Sequence, residues 1–392
     1  MKLKPGLKLM FNLFPKGMRR RWWLFRPIDA LVALWPSPKV KKGVLVVRMD
    51  GIGDMVMHRA ALDHVAEAVG VTQDEITVLG CHSWKGLADR IFSGYRVVTI
   101  DEHAFEKKWL YRLKIALWVR RQGFKVALCD MFMRKVLTAD SLVWMSRATE
   151  RIVCQPFITE KTKRECQWYL DHATRIIDTG PYPTHEALRH FTFLSELAGR
   201  TIPPRSPSIS WQPQPSPVPD GAPYVLMNIG SNEPGRRWPL DKFIELAGLC
   251  RAEGWRVVFV GGKMEAFAIP ILDQIDDQGL INAVGKWSLP QVIDAMTQAL
   301  CVVTNDTGPG HLALGAGATT ILIAGGGHWG SFVPYPESIC PSNARFMTVE
   351  MPCFHCLWRC PKRTSDQQAF PCVGEVSVLD AWENLRFLTN GQ

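Results

Sequence analysis

Hydrophobic and polar positions alternate along this chain on two length scales. Gly43–Val47 (GVLVV), Ile76–Gly80, Val97–Ile100 and Val126–Asp130 are short apolar runs that read as buried parallel strands. Between them, Met55–Val69 and Trp109–Gln122 carry helical spacing, and 139–154 repeats the theme less distinctly. Thr184–Gly199 is an amphipathic helix. The pattern then stops: Thr201–Pro223 holds eight Pro in 23 residues, the composition of a stiff, extended linker. It restarts with strands at Tyr224–Ile229, Arg256–Val260, Ile281–Val284, Ala299–Val303 and Thr319–Ala324, separated by helices at Leu240–Glu253, after Glu265, at Leu289–Ala299 and from Pro309 onward. Strand and helix in alternation define the α/β class. The expected organisation is an extension over 1–42, one doubly wound domain over 43–200, a linker over 201–223 and a second domain over 224–392.

In such sheets ligands bind beyond the carboxyl ends of the strands. Loops 230–238, 261–265, 304–311 and 324–330 all fall at those ends and should converge. Cys301–Ala318 (CVVTNDTGPGHLALGAGA) is the most informative of them. A strand runs into a tight turn and a small-residue helix, so the unpaired N–H groups of the first helical turn form a candidate anion site. An ordinary β–α connection has the same outline. In the first domain, Arg48–Asp54 (RMDGIGD) joins strand to helix without a G-x-G-x-x-G fingerprint. Asp54 falls at the helix N-terminus, where it either caps the helix or serves chemistry.

Composition adds three points. The 392 residues, 47% hydrophobic and 21% charged, suit two globular domains. The formal charge of +9 is uneven: residues 1–42 hold eleven Lys/Arg against one acid, Asp29, so they carry +10 and the remaining 350 sum to −1. Basic residues interleaved with Trp22-Trp23-Leu24-Phe25 and Leu31–Trp35 suit an anionic membrane surface. A nucleic-acid arm fits the charge but not the aromatic clusters, and a tail packed loosely on the body remains open. Arg26, Pro27 and Asp29 interrupt the apolar stretch, so neither a spanning helix nor a cleavable signal peptide is expected. The eleven Cys, an odd number with no secretory signal, indicate a reduced, cytoplasmic protein. Cys353, Cys356, Cys360 and Cys372 have the C-x2-C-x3-C-x11-C spacing of a Zn site, with buried or loosely paired thiols as the plainer reading.

Taken together, VLVVRMDGIGDMVMHRAAL, GSNEPGRRWPLDKFIELA, TNDTGPGHLALGAGATTILIAGGG and CFHCLWRCPKR…PC resemble, in order over roughly 43–380, glycosyltransferase family 9, the bacterial ADP-heptose:lipopolysaccharide heptosyltransferases. The resemblance implies a GT-B fold, two Rossmann-like domains facing across a cleft, with acceptor binding in the first and nucleotide-sugar binding in the second. It places Asp54 at the family's proposed catalytic Asp and Arg236 at a basic residue near the donor phosphates. It places Asp306, Thr307, Gly308 and His311 on the donor-diphosphate motif, and Glu265 near the nucleoside. Three positions depart from the family pattern: Asp50-Gly51 before Ile-Gly-Asp, Ala60 for a Pro, and Gly325–Trp329 (GGGHW) for Gly-Pro-Thr, which bears on the identity of the donor sugar.

The implied reaction is inverting transfer of a sugar from a nucleotide diphosphate to an acceptor hydroxyl. It needs a base on the acceptor side and charge stabilisation on the leaving side. The implied donor is ADP-heptose and the acceptor a lipopolysaccharide core or related lipid-linked glycan at the inner face of the membrane. No metal cofactor is required and no nucleic acid is a partner. The alternatives are a nucleotide-sugar epimerase of related fold or a non-catalytic membrane-associated nucleotide-sugar-binding protein. Trp238 and Trp287 read as core or wall, and Arg237 as solvent-facing.

Overall fold

The computed structural model describes residues 21–390; the part of the basic extension up to Arg20 lies outside them. The chain forms two compact units. Helix α1 (Arg21–Leu34) opens the first unit, and the chain passes into the second for helix α2 (Ile52–Leu62). It returns at Val69–Lys85, crosses again for Gly86–Ser93, returns at Gly94–Thr179 and stays in the second unit from Gly180 onward.

The first unit is built on six parallel strands, β1 (Val44–Val47), β2 (Ile76–Cys81), β3 (Arg96–Ile100), β4 (Val126–Cys129), β5 (Glu150–Cys154) and β6 (Arg175–Ile177), in the order β3-β2-β1-β4-β5-β6. The order reverses between β1 and β4, the switch point of a doubly wound sheet. All four residues of β1 and of β4 are buried, as continuous apolar runs in a parallel sheet require. At that switch point Arg48, following β1, donates to the Asp130 carboxylate following β4 at 2.7 Å and also pairs with Asp50. The Asp-Gly departure in the first loop therefore supplies half of a buried ion network.

Helix α1 changes the reading of the 1–42 segment. Phe25, Asp29, Val32 and Ala33 share one face at helical spacing, and all are buried in the core with helices α3 (Trp109–Gln122) and α4 (Ala139–Ser146). Asp29, which interrupts the apolar pattern, accepts hydrogen bonds from Arg112 Nε at 2.7 Å and the Tyr169 hydroxyl at 3.0 Å. A buried carboxylate needs such partners. Residues 21–34 are thus an integral helix of the unit, not a tail. Its other side leaves Leu24, Leu31, Leu34 and Trp35 exposed. Beside Trp35, whose carbonyl accepts from Arg120 Nε at 2.6 Å, stand Lys41, Arg147 and Arg151. Burial and then these three arginines lower the Lys41 pKa, the mark of cations held close together. Among the described residues no helix is long and apolar enough to cross a membrane.

In the second unit six more parallel strands, β7 (Tyr224–Asn228), β8 (Arg256–Val260), β9 (Leu280–Asn282), β10 (Cys301–Asn305), β11 (Thr320–Ile323) and β12 (Ala344–Met347), run in the order β12-β11-β10-β7-β8-β9. Counted within its own half, the order is the same as in the first unit. Helices α5 (Glu186–Ala198), α6 (Leu240–Ala252) and α7 (Leu289–Met296) also belong here, as does α2. The Pro-rich segment, read as the domain boundary, lies inside this unit and is anchored along its length. Ile209 and Trp211 are buried. Ile209 N–H donates to the Gly315 carbonyl, Trp211 Nε1 donates to Asp294 Oδ1 at 2.8 Å, and Arg90 pairs with the same carboxylate. The segment has neither helix nor strand, but its apolar residues and one buried acid fix it in place.

Two further differences are local. The helix expected over Met55–Val69 is two pieces, α2 and a short helix over Val65–Val69, with Asp63 bound to Arg59 at the break. The weak pattern over 139–154 resolves into α4 and β5. The short edge strands β6 and β12 carry too few buried positions to stand out as periodicity.

Candidate active site

The turn after β10 is held from below before any ligand is considered. Asn305, the last residue of β10, accepts from Trp238 N–H at 2.8 Å through its side-chain oxygen and donates to the Gly230 carbonyl at 3.3 Å. This fixes loop 230–238 against the end of β10. Asp306 N–H donates to the Ile323 carbonyl. Thr307 then caps helix α8 (Gly308–Gly315) in extended conformation, with Pro309 in its first turn. The first intrahelical bond is His311 N–H to the Thr307 carbonyl. The N–H groups of Gly308 and Gly310 have no hydrogen-bond partner among the described residues. They are the free donors that an anion at a helix N-terminus requires.

A charged cluster stands beside this turn. Asp306, 4% exposed, pairs with Arg236 Nη2 at 2.7 Å, and its other oxygen lies 3.4 Å from His311 Nε2. Burial works to raise the Asp306 pKa, but Arg236 and His311 outweigh it and hold the group at about 2. His311 Nδ1 shares a hydrogen bond with the Tyr335 hydroxyl at 2.9 Å, and the two rings stack. Arg236 donates through Nη2 to both the carboxylate and the main-chain carbonyl of Asp306, while its Nη1 has no hydrogen-bond partner among the described residues. Its Nε is buried and lacks a hydrogen-bond partner among the described residues. A planar fork with one edge anchored and one edge unsatisfied can meet an oxyanion.

The sequence motif around Asp54 comes directly onto this turn. Gly53 packs so closely on His311 that a Cβ there would lie 2.8 Å from the imidazole Cδ2. A Cβ on Gly308 would lie 3.0 Å from Ile52 Cβ. Farther along, Gly315 of α8 meets Val56 of α2. Small residues at these positions let α2 and α8 pack side by side within the second unit. Asp54 thus rides with the turn after β10 and not with the unit that holds the strand before it. The half-buried Asp54 side chain sits in the first turn of α2, whose N-cap is Gly51. It makes no hydrogen bond or ion pair among the described residues. A capping acid would bond a backbone N–H there, so the geometry leaves this carboxylate free for other work.

Not every expected residue faces the turn with free atoms. Glu265 is buried and pairs with Arg237 at 2.9 Å; it also accepts from Gly262 N–H at 2.9 Å and Ser231 N–H at 3.4 Å. It ties loop 230–232 to loop 261–262, so any influence on a ligand passes through those loops. Arg237 is not solvent-facing: it donates to the Ser231 carbonyl at 2.7 Å and holds Glu265. Trp238 is core, as expected.

Several residues at the site were not singled out by the sequence. Tyr335 and His185 lie outside the quoted motifs, and His328 and Trp358 lie inside two of them without an assigned role. His185 accepts from Ala187 N–H at Nδ1 and therefore donates from Nε2 to the Phe332 carbonyl at 2.9 Å. Burial lowers its pKa to about 4, which keeps it neutral. Burial and the nearby Arg236 lower His328 to about 4 in the same way.

Cys353, Cys356, Cys360 and Cys372 gather in one segment and act on one another electrostatically; burial raises the thiol pKa of Cys356 and Cys372. Among the described residues no three of these sulfurs lie within 4.8 Å of each other. The thiols have the right chemistry for a soft metal, but as placed they do not fit a tetrahedral ion.

Comparison with known proteins agrees with this picture. Residues 188–356 match the model of glycosyltransferase family 9 (heptosyltransferase). No match is found among curated protein sequences. Among solved structures, the chain is similar to the glycosyl transferase family 9 protein of Veillonella parvula, with a TM-score of 0.69, 16% identity, and coverage of 91% of this chain and 100% of that one. It is similar to the E. coli ADP-heptose LPS heptosyltransferase II, with a TM-score of 0.61, 17% identity, and coverage of 89% and 99%. It is also similar to TibC of enterotoxigenic E. coli, an iron-containing dodecameric glycosyltransferase, with a TM-score of 0.54, 11% identity, and coverage of 90% and 77%. At these identities the structural likeness carries the fold. Residues 188–356 thus match glycosyltransferase family 9 (heptosyltransferase), and the chain has the two parallel six-stranded sheets of the GT-B fold.

Proposed function

We propose that the protein transfers heptose from ADP-heptose, with inversion, to a hydroxyl of a lipopolysaccharide-core or related lipid-linked glycan. The observation that carries this reading is the close packing of Gly53 on His311 and of Ile52 on Gly308, which sets the free Asp54 carboxylate beside the phosphate turn. In the proposed reaction Asp54 takes the proton of the acceptor hydroxyl while that oxygen bonds to the anomeric carbon. The bond from the anomeric carbon to the diphosphate oxygen breaks, and ADP leaves with the electron pair. The Gly308 and Gly310 N–H groups and the open edge of Arg236 meet the charge that develops on the leaving diphosphate. Asp306 orients Arg236, and Thr307 and His311 shape the turn. The donor belongs to the second unit; the first, with its Arg48–Asp130 switch point, is assigned to the acceptor. No step is routed through a metal at the four thiols.

The test is mass spectrometry of the products formed from ADP-, UDP- and GDP-sugars with lipid A–core acceptors. Glycosylated acceptor from ADP-heptose is expected. Hydrolysis or epimerisation of the donor without transfer would overturn the reading.

A lipid-linked acceptor places the enzyme at the inner face of a membrane. The exposed Leu31, Leu34 and Trp35, with the cations Lys41, Arg147 and Arg151 nearby, have the chemistry of a peripheral contact with anionic lipid. The protein is expected to co-sediment with phosphatidylglycerol vesicles and not with phosphatidylcholine vesicles. The double substitution Leu34→Ser with Trp35→Ser should weaken binding roughly tenfold, since about 1.4 kcal/mol corresponds to that factor. Equal binding of both proteins, or equal binding to both lipids, would remove this surface from the proposal.

A further inference from the structure

The backbone from His355 to Trp358 contains three non-glycine residues in the left-handed region, His355 (φ 64°), Leu357 (φ 53°) and Trp358 (φ 62°). Such strain persists only where the surroundings fix it, and it concentrates at functional sites. Here the surroundings are the loop after β11. His355 and Leu357 donate their N–H groups to the carbonyls of Gly326 and Gly327 at 2.8 and 3.0 Å. The Trp358 indole lies where side chains on Gly325 and Gly327 would be, 2.9 and 2.4 Å from the respective Cβ positions. The three glycines that depart from the family pattern are therefore a seat for the Cys-rich segment. From that seat the indole reaches the donor site. The Arg236 guanidinium carbon lies 4.7 Å from its ring centre, within cation–π range. Phe370 stacks on the same indole at 5.6 Å, and His328 meets it edge-on at 5.7 Å.

We propose that Trp358 is a positioning residue for donor binding: its ring face sets the plane of the Arg236 guanidinium and so aims the open edge of that fork at the donor diphosphate. This rests on the reading that Arg236 meets that diphosphate. Asp306 holds Arg236 through Nη2 alone, by its carboxylate and its main-chain carbonyl, and leaves the far side of the guanidinium without a protein hydrogen-bond partner among the described residues. The indole face supports the guanidinium plane along its length, where Asp306 does not reach. The Cys-rich segment thereby becomes part of the donor site through this indole.

The experiment compares Trp358→Phe, which keeps an aromatic face, with Trp358→Leu, which keeps apolar bulk alone, at matched melting temperature. ADP affinity is read by calorimetry, and the donor KM and kcat by product formation. The Phe variant should bind ADP within about twofold of wild type. The Leu variant should lose roughly five- to tenfold in affinity, with a matching rise in donor KM and little change in kcat. In an Arg236→Ala background the Leu change should have no further effect on ADP binding. Equal affinity of the Phe and Leu variants, or losses that add in the double variant, would overturn the proposal. If Arg236→Ala alone leaves ADP binding unchanged, the diphosphate role of Arg236 fails first, and the role of Trp358 falls with it.

Discussion

Asp54→Asn should reduce kcat by roughly 10²- to 10⁴-fold, the range that a positioned general base contributes, while ADP binds with unchanged affinity. Asn keeps the size of the side chain and its capacity to accept hydrogen bonds, but it cannot accept the acceptor's proton. The structure sharpens the expectation, because Gly51, not Asp54, occupies the cap position of α2 and the Asp54 carboxylate bonds to nothing among the described residues. Loss of a structural cap would appear as a lower melting temperature, on the order of 1 kcal/mol. Loss of a base appears in kcat at unchanged stability. Transfer activity near wild type in Asp54→Asn would sink the assignment and favour a nucleotide-sugar-binding role.

The second large effect is expected at Arg236. Arg236→Ala should lower kcat/KM by about 10²- to 10³-fold, the usual consequence of deleting one donor that faces developing negative charge. It should also change the acid response of the fold. In the wild type the Asp306 pKa is depressed to about 2. The ionised form therefore adds stability above the ordinary carboxylate pKa of 3.8, and that stability is lost as pH falls from there through about 2. Without Arg236, burial still raises the pKa and only His311 opposes it. The variant should then lose this stability at a higher pH than the wild type. Circular dichroism between pH 2 and 6 reads the two acid transitions. Coincident midpoints would show that Arg236 does not hold Asp306 ionised.

Much of this architecture could be read along the chain. A parallel strand buried on both faces must be a continuous apolar run, so β1, β4, β7, β8, β10 and β11 announce themselves. Their alternation with helices fixes the α/β class. The turn after β10 is also local: Asp306 to Pro309 place a cap and a proline where the first N–H groups of α8 stay free. Asp54 at the start of a helix is local for the same reason.

The rest depended on contacts between residues far apart in sequence, which periodicity does not encode. Helix α1 lies in a segment that reads by composition as a basic-aromatic extension, with Asp29 interrupting its apolar stretch. The partner that makes a buried Asp29 tolerable, Arg112, lies 83 residues away. The Pro-rich segment has the composition of a linker, yet Trp211 and Asp294 pin it inside the second unit. Arg236 and Arg237 are neighbours of like charge; only the fold sends one to Asp306 beside the phosphate turn and the other to Glu265 beneath it. The four cysteines are spaced as ligands, but their sulfurs are not drawn into one coordination sphere. Sequence by itself determined the class of fold, the order of its elements and the two motifs to which the chemistry is assigned in the proposed function. Only the tertiary structure decided that α2 leaves the sheet it follows and packs on α8, because Gly53, Gly308 and Gly315 remove the side chains that would keep the two helices apart.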